Sequence, residues 1–335
     1  MRAVLSEQHL ELVNALQIAP RAPWSQLAEI LGCKPITISH RWEELHIQGQ
    51  SWVTAMASGA ARQSAIAFVE VDCTMDQQES LGQQFVNTAA IASVERLTQG
   101  PNFGLTVVAE SLEAMSSGPL NTLTRLQGVT RVQTSACIAM HHGAHKWRLG
   151  HLDMSQIEAL ETINRETTET DPSIVLGPES QDIVRLLQHD GRCSAAKIAR
   201  ELDLSPATAR RRLGKVLHSE AIALRTEIAQ SQSGWPVNVQ WFTRLPAGEH
   251  SNAAARLSKL NPRMVASCTG SSNMLISFWL RSLHDVLSME QEIELAVPAI
   301  TIDHNAVLFN GLKRQGWVLN SDGTTSGDFI ADSGH

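Results

Sequence analysis

Four cationic side chains fall close together in the stretch Ser205-Pro-Ala-Thr-Ala-Arg-Arg-Arg-Leu-Gly-Lys215: Arg210, Arg211, Arg212 and Lys215, with Thr208 beside them. Guanidinium and ammonium groups at this density suit phosphate oxygens and the O6 and N7 acceptors of guanine. Such groups need a rigid element to aim them. Ser205 can cap a helix and Pro206 fits its first turn, where a missing N–H costs nothing. At helical spacing Ala209, Leu213, Val216 and Leu217 share one side, which leaves Ala207, Thr208, Arg211 and Lys215 pointing away and Arg210 and Arg212 on the flanks. Upstream, Ile198, Ala199 and Leu202 mark another short helix, and Asp203 takes a turn position that favours left-handed backbone. The pattern predicts a helix-turn-helix whose basic face enters a major groove, the plainer alternative being a helical hairpin with a solvated basic face.

Other reactive groups are weaker candidates. His141, His142 and His145 lie near Cys137 and His151. On a strand, however, Cys137 and His141 would stand about 13 Å apart at roughly 3.3 Å per residue, so neither a metal nor any other cofactor is expected. There is no phosphate-binding loop, dinucleotide glycine cluster, G-x-S-x-G or H-E-x-x-H, and the chain reads as not an enzyme. Trp147 and Trp317 read as packing anchors. The chain has no tyrosine to build an aromatic RNA platform.

The 335 residues carry a net charge of −7, so contact with nucleic acid must come from a local patch. Five scattered cysteines, without C-x-x-C spacing, fit a reducing cytoplasm better than a disulfide framework. No stretch reads as a signal peptide or a membrane span, and a cytoplasmic location without membrane contact is expected.

The chain also repeats itself. Pro35 and Thr37 recur 171 positions later as Pro206 and Thr208, and the same shift carries Leu12 to Ile183, Leu27-Ala28 to Ile198-Ala199 and Arg41 to Arg212. A shift of 170 then takes Gly100 to Gly270 and Trp147 to Trp317. Each copy reads as a helical head followed by a body in the order β-α-β-β-α-β. The expected domains are a first helix-turn-helix at 1–57, a body at 65–147, a linker at 148–177, a second helix-turn-helix at 178–229, a body at 235–319 and a flexible tail at 320–335. In the first head Ser25 should cap the second helix, Pro35 to Ile47 form the third, and Trp52 to Ala57 form a wing strand. Ser58 to Ser64 reads as a joint, and Glu166 to Pro172 as a flexible tether.

The segment from Ile198 to Leu213, its paler copy at 27–45 and the stretch Val265 to Leu275 resemble the Lrp/AsnC family of transcriptional regulators in a tandem form. The resemblance implies an α+β chain of two winged helix-turn-helix heads and two ferredoxin-like bodies. It further implies a regulator that binds double-stranded DNA, with an amino acid or other small effector between bodies, and a homo-oligomer of two to four chains. Carried onto this sequence, the DNA-binding residues are Ser205, Ala207, Thr208, Arg210, Arg211, Arg212 and Lys215, with Lys34, Thr37, Ser39, His40 and Arg41 in the first head. His40 and Glu44 stand where Arg211 and Lys215 stand in the second copy, so the first head should bind more weakly or read another sequence. Effector contacts would come from Gly100, Asn102, Phe103, Gly270, Ser272 and Asn273, although the acidic turn common in the family is missing from both copies. Siroheme decarboxylases resemble tandem units of this kind and size, and an enzyme of that class is the alternative reading, with His141, His142 and His304 as its histidines.

Overall fold

The computed structural model describes residues 5–57, 65–98, 102–168 and 170–330, so the expected joint at 58–64 lies outside the described residues. The chain begins α1 (Glu7–Ile18), α2 (Trp24–Ile30), α3 (Pro35–Ile47), β1 (Ser51–Ala57), β2 (Ala65–Cys73), α4 (Gln78–Asn87), β3 (Ile91–Leu97) and β4 (Phe103–Ala109). Two short helices, α5 (Leu112–Met115) and α6 (Asn121–Leu123), precede β5 (Val129–His142) and α7 (Met154–Thr168). Then come α8 (Gln181–His189), α9 (Ala195–Glu201), α10 (Pro206–Leu217), β6 (Ile222–Ile228), β7 (Val237–Arg244), α11 (His250–Leu257), β8 (Met264–Cys268) and β9 (Met274–Leu280). The chain ends with α12 (Asp285–Ala296), β10 (Thr301–Arg314), β11 (Trp317–Leu319) and β12 (Thr325–Phe329). These elements divide into two compact units, one holding 63–147 with 230–334 and the other 3–62 with 148–229.

The helical unit is organised about a two-stranded sheet. Strands β1 and β6 pair antiparallel with Thr54 opposite Arg225, residues that stand 171 positions apart, so equivalent positions meet across the pairing. Each expected wing strand is therefore the partner of the other, rather than one half of a hairpin within its own head. The side chains of Arg225 and Glu227 form an ion pair inside this sheet, nearly excluded from water. A second reciprocal contact ties the loops after α1 and α8. Arg21 donates to the carbonyls of Gly191 and Cys193 at 2.5 and 3.0 Å, and Arg192 donates to those of Pro20 and Ala22 at 2.6 and 2.9 Å. The Arg192 guanidinium also lies 3.7 Å from the centroid of the Trp24 ring. Burial and the nearby Arg21 charge pull the pKa of Arg192 down to about 10, against the opposing pull of Asp190.

The expected linker belongs to this unit. Helix α7 packs on α1 and α2 with Leu160 fully buried. In the segment read as a flexible tether, the Asp171 amide donates to the His218 carbonyl at 2.8 Å, and the Asp171 carboxylate accepts from Ser173. Those bonds anchor it to the end of α10, which hydrophobic pattern alone does not reveal. Helix α2 starts one residue before Ser25, with Pro23 at its N-cap.

The sheet unit is a ring. Its strand order β10-β3-β4-β2-β5-β8-β9-β7 closes because β7 also pairs with β10. Each long strand serves both βαββαβ runs: β5 pairs with β2 and then with β8, and β10 pairs with β7 and then with β3. Helices cover the outside of both runs. One outer core gathers Val69, Phe85, Phe103 and Val107, and the other Val239, Trp241, Leu257 and Ile276. A third cluster, with Phe68, Phe242, Ala266, Cys268 and Leu275, lies on the opposite face of the sheet, as strand alternation requires. The second helix of the first body is broken into α5 and α6 by a π turn at Ser116–Leu120, which holds Pro119. The expected flexible tail is structured as far as Phe329, because β11 and β12 form a hairpin on the end of β10 and Trp317 packs on Phe329.

Two consequences can be measured. The Lys313 ammonium is buried and donates to the Thr88 carbonyl at 3.0 Å, and burial lowers its pKa from 10.5 to about 8. Below pH 8 the folded and unfolded chains both hold the proton; between about 8 and 10.5 the folded chain releases it first. Stability to urea should therefore rise with pH across that window, and Lys313→Met should flatten the rise and stabilise the chain at neutral pH by about 1–3 kcal/mol. A flat profile in the parent chain would refute this. In the helical unit, Arg192→Ala should cost about 2–3 kcal/mol in the same assay, the order expected for charge-assisted bonds to two carbonyls. A loss under about 0.5 kcal/mol would mean that water replaces the clamp.

Candidate functional site

The exposed basic surface of the helical unit is built on α10. The Ser205 hydroxyl accepts from the Thr208 amide at 3.2 Å and donates to the Thr208 hydroxyl at 2.8 Å, while Pro206 opens the helix. Ala209, Leu213 and Val216 are buried, as their spacing predicts. Asp203, at φ 50°, makes the left-handed turn from α9. Arg210, Arg211 and Ala207 are exposed, and Arg212 is half-buried. Lys215 also stays half-exposed and leans toward Glu179 at 3.7 Å. The Thr208 hydroxyl oxygen accepts within the cap, and Arg210 and Arg211 are the cations turned fully outward.

Helix α3 presents a different surface. Lys34 and His40 are exposed, Thr37 is half-buried, and the Ser39 hydroxyl donates to the Ile36 carbonyl at 3.0 Å. Arg41 turns inward to bond the Gln8 side chain, and Glu44 stands 3.8 Å from His9. Trp42 packs between Trp24 and His46, with ring centroids 6.4 and 5.8 Å apart. The shift in charge seen in the sequence is therefore reinforced by packing, since Arg41 is spent on a neighbouring helix.

The sheet unit holds two polar clusters. At the seam of β5 and β8, His141 Nε2 and His250 Nδ1 each lie 2.7 Å from the Ser267 hydroxyl oxygen, and Ser267 is nearly buried. Burial, and secondarily the His250 charge, lowers the pKa of His141, which favours the neutral ring. A hydroxyl between two imidazole nitrogens can donate to one and accept from the other, so a proton can pass along the chain. His250 had no sequence signal, because its partners are 109 and 17 residues away. His142 is buried, and His304 stacks on Phe242 with centroids 4.3 Å apart, its pKa lowered by burial. Among the described residues no three His, Cys, Asp or Glu side chains form a metal-holding group.

In the second cluster Glu95 accepts from Asn238 at 3.1 Å, and Asn238 in turn accepts from Ser277 at 3.2 Å. Arg263 stacks 3.9 Å from the Trp279 ring centroid and 5.0 Å from that of Trp147; Arg314 lies 5.1 Å from Trp279. Burial raises the Glu95 pKa and lowers those of both arginines, with the attraction between opposite charges working against it in each case.

Several of the expected effector residues bond the protein itself. Gly100 lies outside the described residues. Phe103 is wholly buried in the helix–sheet core against Phe85, so it is removed from the set. Asn102 accepts from the Cys73 amide at 2.8 Å, and Asn273 clamps both backbone groups of Leu245 at 2.8 and 2.9 Å. Ser272 donates to Asp303 at 2.7 Å, and Gly270, at φ 115°, makes the turn.

Residues 181–215 match the AsnC-type helix-turn-helix domain. No curated protein matches the sequence. The solved siroheme decarboxylase NirDL is similar over 92% of this chain and 92% of its own, with a TM-score of 0.57 and 10% identity. The same enzyme in complex with an iron-uroporphyrin III analogue gives 0.56 and 12% over the same coverage. A transcriptional regulator from Neisseria meningitidis bound to L-Met covers 40% of this chain and 90% of its own, at 20% identity and a TM-score of 0.37. The full-length likeness corrects the expectation that the chain is not an enzyme: the catalytic motifs sought in the sequence belong to other folds, and this fold is one on which an enzyme is built. An AsnC-type helix-turn-helix thus stands within a mixed α/β chain that shares its fold with a siroheme decarboxylase.

Proposed function

We propose that the chain binds double-stranded DNA through α10, as a tandem regulator of the Lrp/AsnC type with two heads and two bodies. The observation that carries this reading is the exposure of Arg210 and Arg211 on a capped, buried-backed helix within the segment that matches an AsnC-type domain. Arg211 reads a base edge in the major groove, while Arg210, Arg212 and Lys215 neutralise phosphates. The second head supplies most of the grip, because the first has His40 and Glu44 where the second has Arg211 and Lys215. The pairing of β1 with β6 would fix the spacing of the two half-sites.

A second reading is supported by the full-length fold and by the relay of His141, Ser267 and His250. In it the sheet unit decarboxylates siroheme. Each carboxylate lost as carbon dioxide leaves a carbanion that needs one proton, and the relay supplies it from His141 with replacement from His250.

Paired variants separate the readings. Binding is measured by fluorescence anisotropy on DNA selected from a genomic library, and turnover by mass spectrometry of siroheme incubated without oxygen. Arg211→Ala should weaken binding to the selected DNA by about 1–3 kcal/mol, roughly 5- to 150-fold, and narrow its margin over random DNA. It should leave any siroheme turnover unchanged. His141→Ala should do the reverse, abolishing carbon dioxide loss and sparing DNA. Equal loss on both DNAs would reduce Arg211 to a phosphate contact. Unchanged siroheme after long incubation would eliminate the second reading.

A further inference from the structure

The seam between β5 and β8 puts Cys137 directly opposite Cys268. The neighbouring pair defines the geometry. The Thr269 amide donates to the Ala136 carbonyl at 2.9 Å, while the Ala136 amide turns to the Thr269 hydroxyl; the ladder bond thus lies between 136 and 269, and the next position along is a non-hydrogen-bonded one. Cα atoms in such pairs stand about 4.5 Å apart and the side chains approach more closely. Disulfides span Cα separations of roughly 4.4–6.8 Å. Neither cysteine is in a disulfide, and both lie at the same apolar cluster on the inner face of the sheet.

The opposite seam provides a comparison inside the same molecule. Where β10 meets β3, Leu308 stands opposite Leu97 and a bulge follows, the same place in the pairing that Cys137 and Cys268 occupy where β5 meets β8. Two leucines fill the slot on one side of the ring and two thiols fill it on the other. Packing alone is served by leucine, so the thiols are not needed for volume.

We propose that Cys137 and Cys268 are a redox pair that closes into a cross-strand disulfide and seals β5 to β8 when the chain meets a hydroperoxide. Cys137 is half-buried and Cys268 is 1% exposed, so the oxidant reaches Cys137 first. Its thiolate attacks the peroxide oxygen, giving a sulfenic acid and, from hydrogen peroxide, hydroxide. The Cys268 sulfur then displaces hydroxide from the sulfenic sulfur. The Cys268 proton and the one Cys137 lost on ionising leave with the two oxygens as water. Two thiols lose two electrons and two protons, and one peroxide becomes two waters.

Order is built into the pair. The Cys268 thiol donates to the Ser272 carbonyl at 3.4 Å, and burial, with the Cys137 charge as a second cause, pushes its pKa up to about 12. Burial keeps Cys268 protonated and away from the oxidant, so it enters as the second partner.

The test uses the full chain, titrated with hydrogen peroxide, alkylated under denaturing conditions and mapped without reduction. One cross-linked peptide joining Cys137 to Cys268 is expected, with free thiols falling from the five in the sequence to three and returning after reduction. The double variant Cys137→Leu and Cys268→Leu copies the opposite seam, should fold, and should form no peroxide-dependent cross-link. Oxidation of Cys137 to sulfinic acid with Cys268 still free would overturn the proposal. So would a cross-link from either residue to Cys73 as the main product.

Discussion

Sharing of the two long strands is the constraint on which the sheet unit depends. β5 and β10 each begin in one βαββαβ run and finish against the other, so neither run has a free edge at its long strand. An isolated four-stranded sheet would present unpaired backbone groups along that edge and an apolar face to water. Closure removes both problems at once. It also brings together groups that are far apart in sequence: Glu95 meets Asn238, His141 meets Ser267, and Lys313 reaches Thr88. These contacts exist only when the ring is shut, and their cost or benefit is coupled to that closure.

The helical unit follows similar logic with a smaller sheet. Its two wing strands satisfy each other, and the arginines after α1 and α8 cap each other's loop carbonyls. Frame and surface differ in how alike their two halves are. The reciprocal contacts keep equivalent residue types at equivalent places, whereas α10 keeps a cationic exposed face and α3 carries tryptophan and histidine stacking in its place.

Local features were legible in the sequence because their causes are local. The serine cap, the proline at the first turn, the left-handed Asp203 and the buried stripe of α10 all follow from neighbours within a few residues. Ring closure, the pairing of β1 with β6 and the hairpin at 317–329 are long-range choices, and alternation of apolar residues does not say which edge a strand selects. The candidate sites divide along the same line. The arginines of α10 declared themselves, whereas the histidine relay did not, since His250 gains meaning only when α11 is laid beside the seam. Asn102 and Asn273 show a role that a turn sequence does not reveal: the Asn102 oxygen accepts from the Cys73 amide, and Asn273 bonds both backbone groups of Leu245.

The pairing of β1 with β6 has a consequence beyond geometry. When two heads come from separate polypeptides, the fraction that is paired depends on how many molecules the cell contains, and scarce protein falls apart into halves. Here both partners are segments of a single chain, and the local concentration of one around the other is set by the intervening residues and not by expression level. The paired state therefore survives dilution to a single copy per cell.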